Sequence, residues 1–369
     1  MSGALSDVRV VEFAGLGPAP FAGMMLADMG ADVIVIDRVD NPSRERADEH
    51  RGKRRVALDL KQPASLAAAW ALIERADVLI EGFRPGVMER LGLGPDAVAA
   101  RNARLVYGRV TGWGQHGPLA QAAGHDINYV ALTGAMSFAH RPGEVPMIPA
   151  TLIGDMGGGA MFLAFGIVCA LHEARRNGRG QVVDAAMVDG AACLASLVHQ
   201  RRGAGTWSDD PARNFFLGTS PFYDVFACAD GHVTLGAIEP KFYAELLQRL
   251  GLHDVEPQRQ YAFEDWPALR ARVAALLATQ PRAHWCRLLE GSDACFAPVL
   301  DLDEAARHPH LAERGTFVQV DGRTLPAPAP RLSGHPAVTP RRGPRPGEHT
   351  DAVLHELGLA HAASSGDAA

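Results

Sequence analysis

The fold is indicated by residues 8–18, which read Val8-Arg9-Val10-Val11-Glu12-Phe13-Ala14-Gly15-Leu16-Gly17-Pro18. The apolar run at the start predicts a buried strand, the glycines and proline predict a turn, and residues 21–29 predict the helix that follows. Short β-branched runs recur at four later places, 32–36, 55–58, 78–80 and 105–110. Helix-like stretches stand between some of them, at 64–75 and 95–102. This alternation predicts an α/β fold with a parallel sheet and helical crossovers, as in a Rossmann-like domain.

The glycine-rich turn is not a complete dinucleotide fingerprint. In Gly15-Leu16-Gly17-Pro18-Ala19-Pro20 a proline stands where the motif has the Gly or Ala that lets helix and strand pack closely. The sequence also contains no Walker lysine motif. We therefore expect neither a nicotinamide cofactor nor ATP hydrolysis.

The length of 369 residues suggests two domains. We assign residues 1–205 to the first part of a large domain, 206–221 to a polar and aromatic linker, and 222–302 to a smaller α+β domain. The smaller domain is predicted from a hairpin at 223–237 and helices at 241–251, 266–279 and 282–291. Residues 303–369 are predicted as a second linker and a C-terminal arm that returns to the large domain. Seven prolines between residues 324 and 346 predict an extended conformation there.

Composition restricts the partners and the compartment. Lys and Arg number 36 against 42 Asp and Glu, a net charge of −6, which argues against a nucleic-acid or anionic-membrane binder but leaves room for a local basic pocket. Five cysteines form no C-x-x-C pair, and the first residues resemble neither a signal peptide nor a membrane anchor. We expect a cytoplasmic protein without membrane-spanning segments.

Positive charge concentrates near the ends of predicted strands. Arg38 ends the second strand, four cations stand between Arg51 and Arg55 before the third, and Arg84 and Arg90 follow the fourth. Because open α/β sheets bind ligands at the carboxyl ends of their strands, this cluster predicts a polyphosphate site. A solvated basic loop is the alternative interpretation of residues 51–55.

Three residues are candidates for acid/base chemistry. His125 follows a glycine and precedes a mildly apolar helix, although most of the 15 histidines are expected to face solvent. Asp155 precedes three glycines at a predicted helix start, where it is either a helix-capping carboxylate or a functional group at an exposed helix N-terminus. Glu239 follows the hairpin of the smaller domain, and on position alone a carboxylate in the first turn of the next helix explains it.

Longer motifs identify a family. They comprise Val10-Val11-Glu12-Phe13-Ala14-Gly15, Leu26-Ala27-Asp28-Met29-Gly30-Ala31-Asp32-Val33, residues 81–95, Gly154-Asp155, residues 178–190 and Gly347-Glu348-His349-Thr350-Asp351-Ala352-Val353-Leu354. On these motifs the chain resembles, from residue 5 to about residue 359, the family III CoA-transferases of the CaiB/BaiF type. Among them it is most similar to the α-methylacyl-CoA racemases, which are enzymes of lipid metabolism.

The resemblance implies a large Rossmann-like domain, a small domain and long linkers, with two chains interlocked as a homodimer. It implies an acyl-CoA thioester as substrate and no metal or other cofactor. The positions that resemble the family's CoA contacts are Arg38, Leu58, Asp59, Leu60, Lys61, Gly82, Phe83, Arg84, Arg90, Gly124, Asp126, Ile127, Asn128 and Tyr129.

The resemblance also separates two activities. In the transferases the position of Asp155 is a nucleophile that forms an acyl anhydride, whereas in the racemases this aspartate is paired with a histidine in Gly-His-Asp-Ile-Asn-Tyr, as residues 124–129 read here. Glu239 resembles a glutamate that the small domain adds to the racemase site. We therefore expect a racemase that interconverts (R)- and (S)-2-methylacyl-CoA. A CoA-transferase and a non-catalytic CoA-binding protein are the alternatives.

The expected reaction uses one base and one acid on opposite faces of an enolate. We expect Glu239 or Asp126 to hold the imidazole of His125, and backbone N–H groups of residues 155–159 to stabilise the enolate oxygen. The racemases line the acyl path with methionines. Here Met187 fits that pattern, whereas Phe215 and Phe216 stand in the linker.

Overall fold

The computed structural model describes residues 3–39, 47–208, 210–335 and 340–359. The chain divides into two compact units. The first comprises Met1–Thr133, Pro149–Leu194 and His310–Ala369, and the second comprises Gly134–Ile148 and Ala195–Pro309. Relative to the predicted small domain, 222–302, the second unit also contains residues 134–148, 195–221 and 303–309. Residues 336–339 of the proline-rich arm and the final residues 360–369 lie outside the described residues.

A six-stranded parallel sheet organises the first unit. Its strands are β1 (Arg9–Phe13), β2 (Asp32–Asp37), β3 (Arg54–Ala57), β4 (Val78–Glu81), β5 (Val106–Thr111) and β6 (Val182–Ala186). Their spatial order is β3-β2-β1-β4-β5-β6, so the direction of winding reverses between β1 and β4. The predicted α/β fold is confirmed, and the strands β1 to β5 each lie within about two residues of their predicted positions.

Helices cover both faces of this sheet. They are α1 (Pro18–Asp28), α2 (Pro63–Ile73), α3 (Val87–Arg90), α4 (Pro95–Arg101), α5 (Asp126–Leu132), α6 (Phe162–Asn177), α7 (Met187–Leu194) and, near the C-terminus, α14 (Thr350–Glu356). Because side chains alternate along a strand, Val10 of β1 packs with α1 and α6 on one face, while Val11 packs with α2, α4 and α14 on the other. The C-terminal helix therefore completes the core that the N-terminal strand begins.

The longest helical stretch runs from Leu152 to Asn177 and begins with a π-helical segment, Leu152–Met161, that continues into α6. By length and composition it is apolar enough to cross a membrane. Its residues Leu163 and Ile167 are nevertheless fully buried in the core of the first unit. Gly108 of β5 permits this close packing, since a Cβ there would lie 3.0 Å from Leu163. This helix is a core element of the sheet domain.

The second unit has its own core around a three-stranded antiparallel sheet. Its strands are β7 (Tyr223–Cys228), β8 (Gly231–Gly236) and β9 (Phe296–Pro298), in that order. Its helices are α8 (Ser196–Gly203), α9 (Pro240–Arg249), α10 (Trp266–Leu277), α11 (Arg282–Leu289) and α12 (Leu302–Arg307). Phe222, Trp266 and Trp285 are buried in this core. Phe215 of the predicted linker packs against Phe222, so this part of the linker belongs to the second unit.

A short helix and a hairpin lead the chain back along the first unit. The helix α13 (Pro309–Glu313) is followed by the antiparallel pair β10 (Phe317–Val320) and β11 (Arg323–Pro326). Past the hairpin, the guanidinium of Arg55 donates to the carbonyl of Pro344. The proline-rich arm is thereby held against the first unit.

Candidate active site

The candidate site lies where the winding of the sheet reverses. Segments that follow β1, β4 and β5 contribute Leu16, Phe83 and Trp113 to a cavity of about 210 Å³. In open α/β sheets the reversal leaves a crevice at the carboxyl ends of the strands, which is the usual ligand site. His125 and Met187 line the same cavity.

His125 precedes the first residue of α5 in an extended conformation. The side-chain oxygen of Asn128, one turn later, accepts the backbone N–H of His125 at 3.0 Å. Tyr129 supports the preceding loop because its hydroxyl donates to the carbonyl of Gly124, and its ring packs edge-to-face on Trp113 with centroids 4.7 Å apart. The backbone that carries the imidazole is therefore braced on both sides.

Asp155 lies inside the π-helical segment, four residues after Thr151, which has a positive φ of 61°. It is half-buried. The alternative interpretation of Asp155 as a helix cap is wrong, because the helix begins before it. π-Helical turns are rare and occur often at functional sites, where they displace one residue out of the regular helical path.

The carboxylate of Asp126 anchors this segment. Its Oδ2 accepts the backbone N–H of Gly154 at 2.8 Å and of Asp155 at 2.7 Å. The prediction that backbone N–H groups here donate to an enolate oxygen is thus wrong for residues 155 and 156. The N–H of Asp155 already donates a hydrogen bond to Asp126, and that of Met156 donates to the carbonyl of Thr151. That Asp126 holds the imidazole stays a prediction, because the two backbone N–H groups that its carboxylate accepts, those of Gly154 and Asp155, both bind Oδ2.

The charges around Asp155 bring its proton affinity closer to that of a histidine. Burial raises the pKa of Asp155, the negative charge of Asp126 raises it further, and His125 lowers it. His125 and Asp155, both in the first unit, are thus close enough for the histidine to influence the pKa of the carboxyl. The remaining candidate, Glu239, belongs to the second unit.

Glu239 directly precedes α9, whose first residue is Pro240. The loop before it is fixed by side chains that bind two successive carbonyl groups. The amide of Gln260 donates to the carbonyls of Ala237 and Ile238 at 2.8 and 2.9 Å, and the hydroxyl of Tyr261 donates to that of Ile238 at 2.7 Å. Gln260 is buried, so this loop is held rigidly.

A second cavity, of about 770 Å³, lies at the carboxyl ends of β2 and β3. Of the predicted CoA contacts, it is lined by Arg38, Leu58, Asp59, Leu60, Lys61 and Phe83. The smaller cavity is lined by Gly82, Phe83, Arg84, Gly124 and Tyr129. Phe83 contacts both spaces, which makes them neighbours. Arg90 on α3 and the α5 residues Asp126, Ile127 and Asn128 line neither cavity.

A buried ion-pair network supports the loop that carries Phe83, and the sequence did not reveal it. Glu81 is fully buried and accepts the backbone N–H of Phe83 at 2.7 Å and the guanidinium of Arg109 at 2.6 Å. Arg109 also binds Glu89 at 2.8 Å. The sequence offers one signal, since Glu81 directly follows one predicted strand and Arg109, of opposite charge, lies in the next. The register of β4 and β5 then shows that the two residues face each other.

Residues 51–55 were predicted either to belong to a polyphosphate site or to form a solvated basic loop, and both predictions are wrong. Their cationic side chains do not line the described cavities, and they do not extend freely into solvent. Each cation is paired with an internal carboxylate. The pairs are Arg51 with Asp28, Lys53 with Glu12, Arg54 with Asp32, and Arg55 with Asp37. Three of the four are buried, so this run stabilises the packing of β3 against α1 and β2.

Within the described ranges, no group of three or more His, Cys, Asp or Glu side chains is arranged to hold a metal ion.

Comparisons with known proteins agree with this geometry. The sequence model of CoA-transferase family III matches residues 5–350. The chain is 45% identical over 359 residues to α-methylacyl-CoA racemase from Mus musculus, covering 96% of this chain and 93% of that protein. It is 43% identical over 362 residues to α-methylacyl-CoA racemase from Homo sapiens, covering 96% and 94%. The crystal structure of a CaiB/BaiF family protein from Brucella suis superposes with a TM-score of 0.82 at 24% identity, over 97% of this chain and all of that one.

Proposed function

The chain belongs to CoA-transferase family III, and we propose that it is a racemase that interconverts the (R) and (S) epimers of 2-methylacyl-CoA thioesters. The observation that carries the proposal is the proximity of two proton-transfer groups. His125 lines the cavity of about 210 Å³, and the carboxylate of Asp155 lies beside Gly17, between the lining residues Leu16 and Pro18, where His125 lowers its pKa. Inversion of a carbon next to a thioester needs two proton-transfer groups, and this chain has two of different kind there. Its similarity over nearly the full length to two proteins named α-methylacyl-CoA racemase supports the same reaction.

These two groups account for both proton transfers of the reaction. One group removes the proton from C2 of the acyl chain and leaves a planar enolate; the other then delivers its own proton to the opposite face. The enzyme is left with the proton on the first group and is ready for the reverse direction. Because ordinary pKa values are about 3.9 for Asp and about 6.5 for His, the raised pKa of Asp155 reduces the cost of sharing one proton between them.

The two neighbouring cavities suit the two ends of an acyl-CoA. We assign the nucleotide to the 770 Å³ cavity, where Arg38 and Lys61 supply positive charge for its phosphates. The pantetheine chain then passes Phe83 and brings the thioester to His125 in the smaller cavity. Met187 is buried beside this path and offers an adaptable surface to the acyl chain. Neither step calls for a metal or a nicotinamide.

We also propose that the protein acts as a homodimer in lipid metabolism in the cytoplasm. Support for the dimer comes from the helical stretch Leu152–Asn177, where Met161, Phe165 and Val168 expose an apolar stripe, with Phe165 71% exposed. Residues at this spacing share one helix face, and a face of this kind is typical of a subunit interface. Light scattering coupled to size-exclusion chromatography measures the mass directly, and a monomer at micromolar concentration would contradict the dimer.

The racemase proposal is tested by following one pure epimer of a 2-methylacyl-CoA by chiral analysis. The wild type should convert either epimer to the racemate, whereas His125→Ala and Asp155→Ala should each abolish inversion while keeping CoA affinity within a few-fold. A parallel incubation with a free carboxylic acid measures CoA transfer. Transfer to the acid without inversion of C2 would make the protein a CoA-transferase with Asp155 as nucleophile.

A further inference from the structure

Asp126 connects the two proton-transfer residues through a short path. It directly follows His125 in the chain, and its carboxylate is bonded to the backbone of Asp155. The residue is only 8% exposed, and one oxygen, Oδ2, accepts both the N–H of Gly154 and the N–H of Asp155. One side chain therefore links the backbone that carries the imidazole to the backbone that carries the carboxyl.

The contact between the Asp126 carboxylate and the backbone of residues 154 and 155 depends on features of the π-helical segment. A helix leaves its first N–H groups without intrahelical partners, and Asp126 supplies the acceptor for two of them in the segment that begins at Leu152. At Gly154 a Cβ would lie 2.7 Å from Oδ2, so only glycine allows the approach. The positive φ of Thr151 adds backbone strain at the start of the segment, which the charged hydrogen bonds offset.

We propose that Asp126 is a positioning residue that locks His125 and Asp155 into one rigid acid/base pair. The inference rests on the proposed racemase function and deepens it. Two-base inversion requires both groups to stand on opposite faces of the same carbon, and a misplacement of about 1 Å costs on the order of 100-fold in rate. Asp126 does not touch the reacting carbon in this account; it fixes the groups that do.

The prediction concerns the two epimers separately. We call the two hydrogen bonds from the N–H groups of Gly154 and Asp155 to Asp126 the Asp126 clamp. Loss of this clamp displaces Asp155, while the backbone of His125 keeps its hydrogen bond to the side chain of Asn128. In Asp126→Ala the epimer that His125 deprotonates should therefore still exchange its α-proton with solvent. The exchange rate of the epimer that Asp155 deprotonates should fall at least about tenfold further than the exchange rate of the other epimer. Inversion needs both groups, so it should fall in both directions, with KM changing less than kcat.

The experiment starts from each pure 2-methylacyl-CoA epimer in deuterated water and measures deuterium at C2 and inversion separately. Asp126→Asn keeps an oxygen acceptor at the same place and should restore most of the inversion that Asp126→Ala loses. Thr133→Ala is the matched control, because it removes a hydrogen bond to the carbonyl of Val130 at the far end of the same helix. It should leave inversion and both exchange rates unchanged.

Gly154→Ala tests the clamp from the other side and does not depend on how Asp126→Ala folds. Its methyl group should displace the Asp126 carboxylate and produce the same difference between epimers. If either clamp variant, folded, inverts C2 at the wild-type rate, or loses exchange equally for both epimers, the proposal is overturned. If the wild type itself neither exchanges nor inverts, the racemase proposal fails first, so the two failures are distinguishable.

Discussion

Replacement of Lys53 with Met should destabilise the protein in a way that depends on pH. Lys53 and Glu12 are both 0% exposed, and the ammonium contacts the two carboxylate oxygens at 2.9 and 2.7 Å and the carbonyl of Pro20 at 2.8 Å. Without the ammonium, an isolated buried carboxylate is so costly that Glu12 takes up a proton instead.

The magnitude follows from the cost of that proton. The ordinary pKa of a glutamate is 4.5, so protonation of Glu12 at pH 7 costs about 3.4 kcal/mol, at about 1.36 kcal/mol per pH unit. At pH 5.5 the same step costs about 1.4 kcal/mol. Burial alone raises the pKa of Glu12, and in the wild type the charge and hydrogen bond of Lys53 act against that increase. Without Lys53 the folded protein keeps the proton that the unfolded chain releases above pH 4.5, so stability is lost as pH rises, and the two costs above are upper limits on the pH-dependent loss relative to the wild type. The variant should therefore recover stability on acidification relative to the wild type.

Urea unfolding followed by tryptophan fluorescence at the two pH values gives the free energies. Glu12→Gln combined with Lys53→Met should remove the pH-dependent part of the loss. Arg249→Met is the matched control, since it breaks the half-exposed pair with Glu245 and should cost about 0.5 kcal/mol or less. A loss in Lys53→Met that is below about 1 kcal/mol, or equal at both pH values, would refute the reasoning.

Three further predictions concern the site. Glu81→Gln should weaken the bond to Arg109 and loosen the Phe83 loop, so KM for acyl-CoA in steady-state assays should rise several-fold with kcat less affected; an unchanged KM would contradict this role. Gln260→Leu leaves the two carbonyls before Glu239 without their amide donor, and the free energy of unfolding should fall by about 1 to 3 kcal/mol in urea; unchanged stability would mean that the loop needs no such support. Because burial and Asp126 raise the pKa of Asp155, its carboxyl should titrate above the ordinary value of 3.8 in carbon-13 NMR, and a lower value would contradict the site electrostatics.

The sheet could be predicted because its signal is local. Each strand is a short β-branched run, and helices such as α2 and α4 begin at a proline, Pro63 and Pro95, that sequence patterns locate well. The strand β9 was missed because three residues, Phe296–Pro298, carry too little periodicity. The hairpin of β10 and β11 was missed for the same reason, since its strands have four residues each.

The partners of charged side chains could not be predicted, since they depend on distant residues. The run from Arg51 to Arg55 looks like a ligand site along the sequence, yet Asp28 and Glu12, 23 and 41 residues away, neutralise two of its cations. The setting of Asp155 depends in the same way on Asp126, 29 residues earlier. The sequence was enough to select His125 and Asp155 as acid/base candidates. Their neighbouring side chains could be known only from the folded structure.

In the proposed racemase reaction, His125 and Asp155 transfer protons at one carbon from opposite faces. The most direct test is to incubate one pure 2-methylacyl-CoA epimer in deuterated water, without any acceptor acid, and to measure C2 by NMR with chiral separation. Every molecule of the inverted epimer should carry deuterium at C2, and starting from the other epimer should give the same result. Inverted product that retains the original hydrogen, or no exchange at all, would contradict this mechanism.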